Sequence, residues 1–365
     1  MKKLYLKQII FKPMINYFTP FLKILIPAAW MLWFLSGHSA YSQQTGCAFT
    51  LQEAENYYEM GMLDTIPSML RSCINSDGFD DEELSRAYKL LILTYLFEDY
   101  QEMADLTTLK FLEKFPEYTV KPTDPIEFSY LLNTYKTIPT FSMGITGGLN
   151  YSFIRIMEPY SMNGDGDYTG KYSASGFNFQ VGVLLKKYIN ENLDVNLKIL
   201  YATAGFDYEM DQLDYKISYL EKQSMISCPL TISYNFLFGK IKPFVQAGIN
   251  FDYKFDIIAD FSKEYTGNFV SENLKDSDLD ILQDRKPFNL SAILGGGVSY
   301  DIKKGSLLLD VRYQLGFLNV VNTENRYDDF KWSNYNYIDD DFAMNNLFIS
   351  VGYIYPFYKT VKTDQ

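Results

Sequence analysis

The chain has 365 residues, 47% apolar and 17% aromatic, with 31 Tyr and 28 Phe against 3 Trp and a net charge of −12. That length holds two domains, and the acidic balance argues against nucleic acid as a partner, because nucleic-acid binding needs a basic footprint. The Tyr and Phe content suits β-strands, whether of a membrane barrel or of a soluble sandwich.

Lys2, Lys3, Lys7 and Lys12 precede an apolar core at residues 24–35, and Ser39, Ala40 and Ser42 follow. This is the layout of an export signal spanning residues 1–42. The alternative, a retained anchor, has to use a short apolar run that contains Pro27. No other segment approaches 18 unbroken apolar residues, so a membrane-embedded chain has to cross with strands. Cleavage would remove His38, the single histidine. Histidine triads, histidine zinc sites and imidazole bases are then excluded, and no catalytic residue, cofactor or metal is expected.

Residues 43–138 read as a helical domain, with helices over 51–60, 64–74, 80–97, 100–115 and 125–135. Asp80 is placed as an N-cap with Glu83 three residues on. In an exported chain Cys47 and Cys73 are candidates to pair across a helical hairpin; two free thiols are the alternative. Cys47 lacks the apolar residue three places earlier that a lipidated cysteine would have, and Cys228 falls in a strand with no obvious partner. Tyr88, Leu91, Tyr95 and Ala104, followed by Pro116, fall at the spacing of a tetratricopeptide repeat. Ile92 stands where that repeat prefers Gly, and Thr108 where it prefers an aromatic. An ordinary helical bundle is the other reading, and either would more often dock a protein than perform chemistry. A polar linker is expected at 119–124.

From Thr140 the period becomes two, which gives one apolar and one polar face per strand. Phe141, Met143, Ile145, Leu149 and Phe153 oppose Ser142, Thr146, Asn150 and Ser152. The pattern recurs near 177–187, 193–201, 226–236, 245–253, 288–302, 307–317 and 347–357. Short turns at 189–191, around Gly239 and at 303–306 alternate with long loops near 158–173, 206–224, 256–287 and 319–342. Eight strands with that alternation predict an α+β chain: an antiparallel transmembrane β-barrel over 139–365 behind the small all-α domain. The barrel is expected in the outer membrane, with the helical domain in the periplasm.

Ser227-Cys228-Pro229-Leu230-Thr231-Ile232-Ser233-Tyr234 and Lys242-Pro243-Phe244-Val245-Gln246-Ala247-Gly248 resemble the PorT-like outer-membrane barrel family of Bacteroidota. Gly295-Gly296-Gly297-Val298 and the 309–316 segment look like the closing hairpin of that family. The resemblance covers roughly residues 140–358. It implies an eight-stranded outer-membrane barrel and a family in which some members support protein secretion. The helical domain in front departs from a bare barrel of that type.

The polar faces carry Asp194, Lys198, Lys242, Asp252, Lys254, Asp310 and Arg312. They read as a charged permeation path or, in a barrel only wide enough for side chains, as pairs that fill it. Asn163, Asp165 and Asp167 resemble the start of a calcium loop, but Tyr168 stands where Gly is needed and Ala174 where a Glu ligand is needed. Asp339–Asp341 reads as a solvated acidic loop. Outward Tyr151, Phe153, Tyr253, Tyr300, Tyr355 and Phe357 read as aromatic girdles. These features together predict a non-enzymatic barrel, embedded in outer-membrane lipid, whose helical domain docks an envelope or secretion protein. A small transport pore is the alternative, and an enzyme would have to work with Asp and Ser alone.

Overall fold

The computed structural model describes residues 41–160, 170–265, 273–302, 304–326 and 334–363. The export signal up to residue 40, the calcium-like 163–167 stretch and Lys303 lie outside the described residues. The chain forms two compact units, Met1–Lys136 with Thr360–Gln365, and Thr137–Lys359.

The second unit is built from strands β1 (Tyr135–Glu158), β2 (Lys171–Ala174), β3 (Asn178–Tyr188), β4 (Leu193–Asp211), β5 (Tyr215–Asn235), β6 (Ile241–Tyr265), β7 (Leu274–Asp280), β8 (Phe288–Ile302), β9 (Gly305–Gly316) and β10 (Asp341–Lys362). Eight of them close a ring in the order β1-β3-β4-β5-β6-β8-β9-β10, with β10 back on β1. The short β2 pairs with β4, and β7 with β6. The first strand begins at Tyr135, before the expected Thr140. Its pairing with β3 starts only at Phe141, so Pro139 interrupts no rung on that side. Gly182 and Gly297 face inward where a Cβ would stand 2.0 Å from the Ile199 carbonyl and 2.1 Å from that of Leu309. A side chain at either position would force the strands of this narrow ring apart.

Two of the expected long loops are strands. Pairing of β4 with β5 runs from Leu193↔Tyr234 to Asp211↔Lys216, and β6 continues to Tyr265. The wall keeps its period of two but reverses its polarity. Near the short turns Leu197, Ile199 and Tyr201 are exposed while Asp194, Asn196 and Lys198 are buried. Higher on the same strand, Phe206 and Tyr208 are buried, and Asp207 and Glu209 lie on the outer face. In β6 the register slips between Ser224 and Met225 of the facing strand, which leaves Phe255 as an extra residue. One inserted residue moves every later side chain to the other face. Inward positions are therefore even up to Lys254 and odd from Ile257, Ala259 and Phe261 onward. A reading that expects an apolar outer face loses the strand at both changes.

The first unit contains α1 (Tyr41–Glu59), α2 (Ile66–Asn75), α3 (Asp81–Phe97), α4 (Gln101–Lys114) and α5 (Ile126–Asn133). Asp80 caps α3 by accepting from the backbone N–H groups of Glu82 at 2.9 Å and Glu83 at 2.8 Å, and Glu83 returns the bond. A disulfide joins Cys47 to Cys73, tying α1 to α2. Tyr88, Leu91, Tyr95 and Ala104 are all buried. Their spacing therefore reports the packing of α3 on α4, where Tyr88 meets Phe111 edge-on at 6.2 Å, and none of them forms a docking surface. Any partner has to read other side chains.

The expected polar linker has an anchor at its end. Asp124 accepts from Lys89 Nζ at 2.6 Å, Tyr118 Oη at 2.7 Å and the Lys121 backbone N–H at 2.8 Å. Burial alone would raise its carboxyl pKa, but these three donors outweigh burial and hold it below the ordinary carboxylate value. A folded-state pKa below the unfolded one stabilises above roughly pH 4, and that stabilisation is lost as pH falls through the folded value. Asp124→Asn should lower helical stability by about 2 kcal/mol at pH 7. Urea unfolding followed at 222 nm, with the barrel still folded, should show the two proteins converging below pH 4.

Candidate functional site: the filled lumen and its latched mouth

Because the inward face near the short turns is largely polar, the lumen of the ring is filled by hydrogen-bonded side chains around a small apolar cluster of Leu184, Phe244, Leu308 and Ile354. At the short-turn end Lys186 Nζ lies 3.1 Å from Asp194, which also accepts from Asn196 at 2.7 Å and Asn235 at 2.6 Å. Lys198 Nζ is 2.6 Å and Arg312 Nε 3.3 Å from the same Asp310 oxygen, so one carboxylate serves two cations. Arg312 turns its other end to Gln180 and Ser350. Asp252 accepts from Asn250 at 2.6 Å, Gln314 at 3.0 Å and Asn289 at 3.3 Å. The cavity between Lys198, Gln246 and Asp310 measures about 10 Å³, room for roughly one water. Asp194, Lys198, Asp252, Lys254, Asp310 and Arg312 are each at most 4% exposed.

Lys242 departs from that set. It shares the inward parity of Gln246 but lies at the end of β6, with about a third of its side chain exposed, and pairs with Asp301 at 2.5 Å. It belongs to the rim, where the wall ends and water reaches the ammonium.

At the opposite end the lumen is closed by a cluster outside the predicted set. Arg285, which follows β7 in the chain, reaches Glu221 with Nη2 at 2.7 Å and Asp339 with Nη1 at 2.7 Å. Tyr219 also accepts from this guanidinium at 2.9 Å, and Tyr337 donates to Asp339 at 2.9 Å. Around the group Tyr219 stacks on Tyr337 at 5.2 Å, and Phe261 lies 4.4 Å from Tyr219. Burial disfavours the Arg285 cation, but Asp339 and Glu221 outweigh it and hold the pKa well above its ordinary value. Asp339 and Asp340 are thus buried, correcting the solvated loop expected there; Asp340 accepts from the Tyr160 N–H and from Tyr172. Lys186, Lys198, Arg285 and Arg312 are each ion-paired to a buried carboxylate, Asp194, Asp310, Glu221 or Asp339, whereas the buried Lys254 ammonium has no hydrogen-bond partner among the described residues. Glu221 was legible: the odd inward register of Thr231 and Ser227 leads to it. Arg285 carries no such signal, because it lies outside the barrel strands.

The latch makes a direct prediction. Arg285→Met leaves two buried carboxylates without their cation, a loss of roughly 3–5 kcal/mol. Hydrogen exchange at residues 281–287 and 335–344 should accelerate, while exchange in β3 and β9 should stay unchanged.

The profile of the outer membrane protein beta-barrel domain family matches residues 136–322, half of the chain. No curated protein sequence matches. Among solved structures, OprG of Pseudomonas aeruginosa is 12% identical and covers 60% of this chain and 97% of its own, with a TM-score of 0.30. A major outer membrane protein of Thermus thermophilus is 13% identical over 60% of this chain and 99% of its own, also with a TM-score of 0.30. Ail of Yersinia pestis is 10% identical over 60% and 100%, with a TM-score of 0.25. Such scores carry no argument about activity. The closed eight-stranded ring, its apolar outer belt and the family match agree: this chain belongs to the outer-membrane β-barrel domain family.

Proposed function

We propose that this is a non-enzymatic outer-membrane protein whose barrel anchors a periplasmic helical docking domain, as an assembly or scaffold component of an envelope or secretion machine. The observation that carries this reading is the filled lumen. Buried ion pairs at Lys186–Asp194, Lys198–Asp310 and Arg312–Asp310 and a cavity of about 10 Å³ suit a structural plug better than a permeation path. The short turns at 189–192 and 236–240 lie at the end of the wall where β1 begins and β10 finishes. In this class of barrel that end faces the periplasm, which supports a periplasmic location for the helices. The PorT-like resemblance favours secretion as the process.

The test has two arms. A cysteine introduced at Leu213, 97% exposed at the β4–β5 tip, should react with an impermeant maleimide on whole cells. One introduced at Phe49 should react only after the outer membrane is opened; the reverse pattern rejects the orientation. The full-length protein should retain one reproducible envelope protein after mild cross-linking and should give no unitary conductance in planar bilayers. Steady conductance from folded protein would favour the transport pore instead.

A further inference from the structure

The helical unit carries a denser negative charge than the barrel. Between residues 43 and 136 there are seventeen Asp and Glu against seven Lys and Arg, a net −10 in 94 residues, while the more than twice longer stretch 137–365 carries a net −7. On this acidic body lies a groove of about 500 Å³, lined largely by Leu96, Ile126, Tyr130 and Leu131, with Glu127 at its border and Asp105 there paired to Lys362 at 3.4 Å. Ile126 is 82% and Tyr130 68% exposed, although both sit on a helix whose other face holds the fully buried Phe128. Phe97, Tyr100, Met103 and Leu106 continue the apolar surface along the end of α3 and the outer face of α4. Glu98, Asp99 and Glu102 intersperse carboxylates among them.

Apolar side chains this exposed, beside a concave surface, mark an interaction site. Their acidic setting selects the occupant. Anionic lipid headgroups are repelled by it, and a second copy of the same unit brings another −10. A segment that alternates apolar and basic residues satisfies both features, seating its apolar side in the groove and its cations on the carboxylates. We infer that the groove between α4 and α5 docks an amphipathic, Lys/Arg-bearing peptide segment of a partner protein. This rests on the docking role proposed above and specifies its chemistry.

The probe is a fluorescent 14-residue peptide of Leu and Lys at amphipathic helical spacing, titrated by anisotropy against the full-length protein in neutral detergent. Empty micelles and a Leu/Glu peptide serve as controls. Binding should weaken at least tenfold in the double variant Ile126→Asp/Tyr130→Asp, even though that variant adds negative charge. It should also weaken about tenfold in Glu102→Lys/Glu127→Lys, and fall between 50 and 300 mM salt. Both double variants alter exposed side chains, and an unchanged 222 nm melt checks that the helices still fold. Equal binding to the Asp variant, or equal binding of the Leu/Glu peptide, overturns the inference. So does a dimer in sedimentation that the Asp variant abolishes, since a second copy would then fill the groove. If the Asp variant still retains the cross-linked envelope protein, the groove assignment fails and the docking role survives. If the peptide binds as expected but no envelope protein is ever retained, the docking role fails and the groove remains.

Discussion

Everything in the barrel depends on one constraint: within a bilayer no backbone N–H or C=O finds water, so each must be paired inside the protein. A closed antiparallel ring meets this without leaving an edge. Closure at eight strands makes the lumen narrow, so most of what points inward is small, absent or paired, and Leu184, Phe244, Leu308 and Ile354 pack into one apolar cluster. Gly182 and Gly297 answer with no side chain, Ser227 and Ser291 with short hydroxyls, and Lys198, Asp310 and Arg312 with one shared carboxylate. These are separate solutions to the same shortage of space.

The outer half of the wall obeys the opposite solvent rule. Once β4, β5 and β6 rise past the apolar belt, the outside meets water and the inside becomes the dry side. Phe206, Tyr219 and Phe261 then form a small aromatic core of ordinary soluble type, covered by Tyr335, Tyr337 and Phe342. Arg285 sits where that aromatic core meets the polar lumen. Its guanidinium reaches both Glu221 from the wall and Asp339 from the segment before β10. A lysine would supply the charge but not the planar fork that addresses two carboxylates.

This reversal also separates what the sequence discloses from what it hides. The eight crossings were readable because an apolar outer face repeats at Leu197/Ile199, Val245/Ile249 and Leu309/Val311, where lipid imposes one polarity. The extensions look like loops in the sequence because they carry the inverse polarity and, in β6, because Phe255 shifts the parity. Charges inside the crossings, such as Asp194 and Arg312, could be found by counting alternate positions. Arg285 could not, since its role arises from contacts 64 residues away in sequence at Glu221 and 54 away at Asp339. Tyr88 and Ala104 show the complementary case: their periodic spacing belongs to the helical core, and surface function leaves no periodic mark.

A lumen of ion pairs demands a reason, since buried pairs are weak sources of stability and apolar packing of equal volume often does better. The reason lies in register. Lipid contacts are non-directional, so Leu, Val and Ile on the outer face fit almost as well after a strand slides by two residues. The lumen does not allow this. Sliding β9 by two residues would separate Asp310 from Lys198 and bring Arg312 or Leu308 to that level, leaving a buried cation unpaired. A slip of one residue would turn Asp310 and Arg312 toward hydrocarbon. The polar stack therefore makes the correct alignment of the strands the one that keeps Asp194 on Lys186 and Asp310 on Lys198 and Arg312.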